Sequence, residues 1–169
     1  WLSWRSCCFV STSALASASN VTPKPTTPHH SSLFRLKTAA CSLFREGYNC
    51  AQAVACTYCD LAGVDEETMF KLTEALGLGM GGMAGTCGAV TGACVLAGMK
   101  RSTGHLDKPD SKAESYKLSR EILRQFGDQN GSVICKELKG VETGRVLRSC
   151  QDCIMDAAAL AEKLLYSEE

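Results

Sequence analysis

The sequence predicts an all-α protein, a compact bundle of about five to seven helices with a glycine-rich loop before a central buried helix. Three observations lead there. Helix-capping residues recur ahead of apolar-periodic runs, with glycine at the far ends of several of them. No run alternates with period two between turn signals, so strands have no support. The 169 residues, 45% hydrophobic and 21% charged, are enough for one domain with a hydrophobic core that needs no disulfide staples.

The elements follow in order. Residues 34–46 read as a short helix ended by Gly47. Asn49 caps a helix from Cys50 to Ala62, ended by Gly63. Asp65 caps Glu66–Leu76, whose two leading acids suit the positive end of the helix dipole. The segment Gly77–Gly85 is too rich in glycine for a comfortable helix, and Thr86 caps a helix from Cys87 to about Lys100. Pro109 and Ser111 open a long polar helix that Gly127 stops near Phe126. Ser132 caps Val133–Leu138, and Ser149 caps Cys150 to about Tyr166.

Residues 1–32 form a different kind of polypeptide from residues 33–169. They hold eight Ser, four Thr and three Pro. No acidic residue precedes Glu46, whereas Arg5, Lys24, Arg35, Lys37 and Arg45 are all basic, and 13 basic residues then face 18 acidic ones. The formal net charge of zero is therefore a sum of two opposite parts. Such a leader-like tail has the composition of an organelle transit peptide or of a disordered tail. Cys7, Cys8, His29 and His30 lie in it and are set aside as site candidates. Zero net charge argues against a nucleic-acid partner. From Ala75 to Met99 the chain carries no charge, but eight of those 25 residues are glycine, so a loop followed by a buried helix is expected rather than a membrane span.

Eleven cysteines, an odd number, carry the chemistry. The predicted caps place Cys50, Cys87, Cys135 and Cys150 in first turns of helices, where free N–H groups and the dipole stabilise a thiolate. Core packing gives cysteine no reason to prefer that position. Cys56-Thr-Tyr-Cys59 and Cys150-Gln-Asp-Cys153 are both C-x-x-C. The second is the better redox motif because its first thiol opens a helix, which makes Cys153 a secondary redox candidate. Ninety residues between the two pairs is far from zinc-ribbon spacing. Cys94 reads as core, Cys41 is ambiguous, and His105 is a lone loop histidine. Gly88 and Gly92 form a small-xxx-small edge that admits a close neighbour. The loop that contains Gly79, Gly81 and Gly82 offers backbone N–H groups to an anion or to a sulfur-bound cluster.

Four motifs then occur in a known order. The runs Gly47-Tyr-Asn-Cys-Ala-Gln-Ala-Val54, Gly79-Met-Gly-Gly-Met83 with Cys87-Gly-Ala-Val-Thr-Gly92, Cys135-Lys-Glu-Leu138, and Cys150 before a helix resemble the C-GCAxxG-C-C family of redox-active proteins. The resemblance covers about residues 38–166 and implies that Cys50, Cys87, Cys135 and Cys150 are the hallmark cysteines. It implies a redox role in which these four converge as redox-active or metal-ligating thiols. They would hold an iron–sulfur cluster, in its simplest form [2Fe–2S], or cycle between dithiol and disulfide. The family also looks related to the iron–sulfur part of split-Soret cytochrome c, but no Cys-x-x-Cys-His haem attachment is present. The alternative is a zinc-stabilised, non-enzymatic structural or interaction module on the same thiols. Electron transfer implies an unidentified redox partner protein. Available thiols imply a reducing compartment, cytoplasmic or organellar.

Overall fold

The structure, a computed structural model, describes residues 30–167. Cys7, Cys8, His29 and the Ser-rich segment lie outside the described residues. The described chain is all-α, and six of its helices have eight residues or more. They are α1 (His30–Arg45), α2 (Cys50–Thr57), the single turn α3 (Cys59–Ala62), α4 (Glu66–Thr73), the tight turn α5 (Gly77–Met80), α6 (Gly88–Arg101), α7 (Lys112–Asn130), the single turn α8 (Cys135–Leu138) and α9 (Cys150–Ala161). A 3₁₀ turn over Glu74–Leu76 follows α4, and a π-helical turn over Glu162–Tyr166 follows α9. Among the described residues the β structure is limited to an isolated antiparallel bridge between Thr86 and Ile134. No helix among them is long and apolar enough to cross a membrane.

The expected helix α6 is the central one. Its Ala89, Val90, Ala93, Leu96 and Ala97 are fully buried, and it packs against α2, α7 and α9. The small side chains Ala51, Ala53 and Ala55 are buried on α2. This contact is unusually close. A Cβ at Gly92 would stand 2.5 Å from the Ala51 carbonyl oxygen and 3.2 Å from Ala51 Cα. A Cβ at Gly88 would collide with Cys50 Sγ. Helix α1 covers α2 and α9 from the other side.

Asn49, Asp65 and Ser149 cap as expected. Asn49 Oδ1 accepts from the amides of Ala51 and Gln52, and Gln52 Oε1 returns a bond to the Asn49 amide at 2.9 Å. The Asn49 side chain also donates to the Glu74 carbonyl at 2.8 Å, which ties the start of α2 to the end of α4.

Several boundaries differ from the sequence reading, each for a local reason. The helix expected over Cys50–Ala62 breaks at Tyr58 (φ −112°, ψ 12°). Tyr58 is fully buried, donates its hydroxyl to the Ala158 carbonyl at 2.8 Å, and stacks on Tyr166. Those long-range contacts are made from a backbone that leaves the helix. Thr86 is not the cap of α6, because it pairs with Ile134, and Cys87 itself takes the N-cap position. Helix α7 runs through Gly127 and ends at Gly131, which is left-handed (φ +81°). Glycine in a helix interior costs about 1 kcal/mol, which the helix tolerates here, since a Cβ at Gly127 would make only an ordinary 3.4 Å contact with Val133. Ser132 bonds the Ile134 amide and the Glu137 carboxylate, so the helix begins only at Cys135.

The α2–α6 contact makes a clear prediction. Gly92→Ala places a methyl group against backbone that cannot swing aside, and overpacking of this kind costs about 1–3 kcal/mol. Gly98→Ala, on the same helix with nothing near its Cα, serves as the control. Urea denaturation should show a large loss for the first and none for the second.

Candidate functional site

Three helices begin on a cysteine. Cys50 is the first residue of α2, Cys135 of α8 and Cys150 of α9, while Cys87 is the N-cap of α6. The fold brings these helix starts together. Cys50 feels the charges of Cys87 and Cys150, and Cys135 feels those of Cys87, Cys50 and Cys150. Cys153, one turn into α9, joins them through Cys87. All five are free thiols.

Two loops hold the cluster closed. In the glycine-rich segment the amides of Gly81, Met83 and Gly85 bond to the carbonyls of Gly77, Leu78 and Gly79, which coils the loop on itself. Leu78, Met80 and Met83 all adopt positive φ within it. Gly79 lies against α8, where a Cβ would stand 2.6 Å from Cys135 Cβ, so only glycine fits. The Cys135 amide bonds the Gly85 carbonyl and the Lys136 amide bonds the Met83 carbonyl, which fastens α8 to the loop. The Leu78 amide donates to the Cys50 sulfur. A Cβ at Gly81 or Gly82 would meet open space, so packing does not require glycine at either position.

The electrostatics single out one pair. The Cys153 thiol donates a hydrogen bond to the Cys87 sulfur. That bond, the amides of Ala89 and Val90, and the charge of Lys139 hold Cys87 below the ordinary value of 9.0, although burial opposes them. The same bond and burial push Cys153 upward. Burial raises Cys50, and raises Cys135 to about 11. The arrangement is therefore a thiolate at the start of α6 that accepts a hydrogen bond from the neighbouring Cys153 thiol, beside Cys50 and Cys135, which burial keeps neutral. Lys139, one turn after Cys135, places its amine against the Cys150 sulfur and within reach of Cys135 and Cys50.

The other cysteines stay apart. Cys41 is buried and its thiol donates to the Gln151 carbonyl at 3.8 Å. Cys94 lies half-buried against the Ser119 side chain. Cys56 is buried and pushed up to about 11, and Cys59 beside it is half-exposed. His105 is an exposed loop residue whose Nδ1 lies 3.6 Å from Asp110. Two features were missed from sequence. Cys153 lies against Cys87 as well as one turn from Cys150, and Lys139 is the cation of the cluster. The signal for Lys139 was its i+4 spacing from Cys135; nothing local signals the Cys87–Cys153 pair.

The donor chemistry suits a soft metal, but the disposition does not. No group of three or more His, Cys, Asp or Glu among the described residues is arranged to hold a metal ion. For Cys50, Cys87, Cys135 and Cys150 this means no single-ion site, zinc included, among the described residues.

Fold and site together define a helical protein with a sequestered multi-thiol centre. Residues 48–164 match the family described as "Putative redox-active protein (C_GCAxxG_C_C)". The chain belongs to that C_GCAxxG_C_C family. No curated protein and no solved structure matches it.

The thiolate assignment predicts a pH profile. Cys87 is reactive above its depressed midpoint, and reactivity is lost as pH falls through it. Alkylation by iodoacetamide, followed by peptide mass spectrometry, should place that midpoint below 9.0 in the native protein. In Cys153→Ala, which removes the donated hydrogen bond, the midpoint should move up toward 9.0.

Proposed function

We propose that this redox-active protein is a two-electron thiol carrier in which Cys87 and Cys153 cycle between dithiol and disulfide. The observation that supports this reading most directly is the Cys153 thiol donating to the Cys87 sulfur at the start of α6. Two thiols that already interact directly lie near each other, as closing a disulfide requires. The depressed Cys87 is both the better thiolate at neutral pH and the better leaving group when the disulfide is reduced.

The half-reaction is balanced within the pair. The Cys87 thiolate and the Cys153 thiol give up two electrons and one proton and gain one S–S bond, and solvent supplies the second proton. The acceptor is an external disulfide, which is split into two thiols. The neighbouring helix dipoles and Lys139 stabilise the anionic sulfur while the bond is open. Cycling of this kind requires a partner that supplies and removes electrons, and it suits a reducing compartment that returns the pair to the dithiol.

Equilibration in redox buffers of a low-molecular-weight thiol and its disulfide tests the reading. Peptide mapping should find one redox-dependent disulfide, Cys87–Cys153, with a two-electron Nernst slope of about 30 mV per decade. Cys87→Ser and Cys153→Ser should each abolish it. A two-electron couple that survives Cys153→Ser would contradict the assignment.

A further inference from the structure

The thiol pair of the proposed function is sealed. Cys87 is 6% exposed and Cys153 is 2% exposed, and Cys135 beside them is 5% exposed. Disulfide exchange needs the attacking sulfur to line up with both sulfurs of its target, so a bulky disulfide cannot engage either member directly. Only Cys50 and Cys150 among the five thiols are half-buried rather than buried. Cys50 is hemmed in, since its sulfur lies where a Cβ on Gly88 would be and accepts the Leu78 amide. Cys150 stands differently. Ser149 before it is exposed, as are residues 141–147 of the preceding loop. It lies one helical turn before Cys153 on the same face of α9. The Lys139 amine rests against its sulfur.

Resting on the dithiol reading, we propose that Cys150 is the entry thiol of an internal relay that passes electrons from the Cys87–Cys153 pair to peptide or protein disulfides. In the first step Cys150, with the Lys139 amine against its sulfur, gives its proton to solvent and attacks the substrate disulfide. The substrate S–S bond breaks, a Cys150–substrate mixed disulfide forms, and the first substrate thiolate leaves and takes a proton from solvent. Cys153 then gives its proton to the Cys87 sulfur and attacks the Cys150 sulfur. This releases the second substrate thiolate and leaves a Cys150–Cys153 disulfide. The second thiolate takes the proton now held on Cys87. Cys87 attacks the Cys153 sulfur, the Cys87–Cys153 disulfide closes, and Cys150 leaves as the thiolate beside Lys139 and regains its proton from solvent. The sum is one substrate disulfide reduced to two thiols and one protein dithiol oxidised to a disulfide, with Cys150 regenerated.

The relay explains why a C-x-x-C motif and a more distant buried cysteine occupy one cluster. Cys150 meets the outside, Cys153 moves the bond inward, and Cys87 stores it at the helix terminus where reduction finds the better leaving group.

Two oxidants test it on the full chain. The first is a disulfide-linked dimer of a ten-residue peptide. The second is hydrogen peroxide, which is small enough to reach a sealed thiolate and is itself reduced to two waters. In the native protein both should close Cys87–Cys153. In Cys150→Ser the ratio of the peptide-disulfide rate to the peroxide rate should fall by about 100-fold, as loss of the entry thiol requires. Cys153→Ser should accumulate a peptide adduct mapped to Cys150. An unchanged ratio in Cys150→Ser, or an adduct on Cys50 or Cys87, overturns the relay and leaves the dithiol pair standing. Failure of both oxidants to close the pair in the native protein overturns the dithiol reading and the relay with it.

Discussion

The rest of the structure depends on how closely α2 and α6 approach. Hydrogen in place of a side chain at Gly88 and Gly92 lets the α6 backbone lie on the first turns of α2. That contact fixes Cys50 beside the start of α6, and Cys87 sits at that same start. The alanines of α2 continue the arrangement, since small side chains on one helix and none on the other bring two backbones together. The glycine-rich loop and α8 then close over the thiols, with Gly79 pressed against Cys135 for the same reason. Close packing in this protein therefore does more than fill a core. It decides which sulfurs are neighbours.

Neighbouring thiols raise an electrostatic problem that the fold answers by asymmetry. Five like groups in one buried place cannot all ionise, because each thiolate disfavours the next. Burial keeps Cys50 and Cys135 neutral, and the hydrogen bond to Cys87 keeps Cys153 protonated. One negative charge is left to Cys87, held by two backbone amides and a donated S–H. Lys139 is the compensating cation and faces Cys150. A cluster divided in this way has a defined donor and a defined acceptor, which is what directional thiol exchange requires.

Much of this was legible in the sequence because it is local. Cap residues and glycine stops gave the all-α class and most helix ends, and Asn49, Asp65 and Ser149 accept the bonds their positions imply. The same local logic put Cys50, Cys87, Cys135 and Cys150 in helix first turns, and the family motif chose the same four, although Cys87 stands one position earlier, at the N-cap. What was not legible depends on contacts between distant segments. The break at Tyr58 is set by Ala158 and Tyr166. The displacement of the α6 cap from Thr86 to Cys87 is set by Ile134. The Cys87–Cys153 bond exists only because α6 packs on α9. Sequence spacing alone paired Cys153 with Cys150, its neighbour along the helix, and could not see the partner across it.

The claim at the centre of this account is that the clustered thiols work as thiols. Metal analysis with a visible spectrum, on protein prepared and held without oxygen, tests it most directly. The account predicts folded protein without stoichiometric iron or zinc, colourless above the aromatic absorption, with every cluster cysteine titrating as a free thiol. Stoichiometric iron with a sulfur-to-iron charge-transfer band, lost together with the fold in Cys50→Ser or Cys135→Ser, would contradict it.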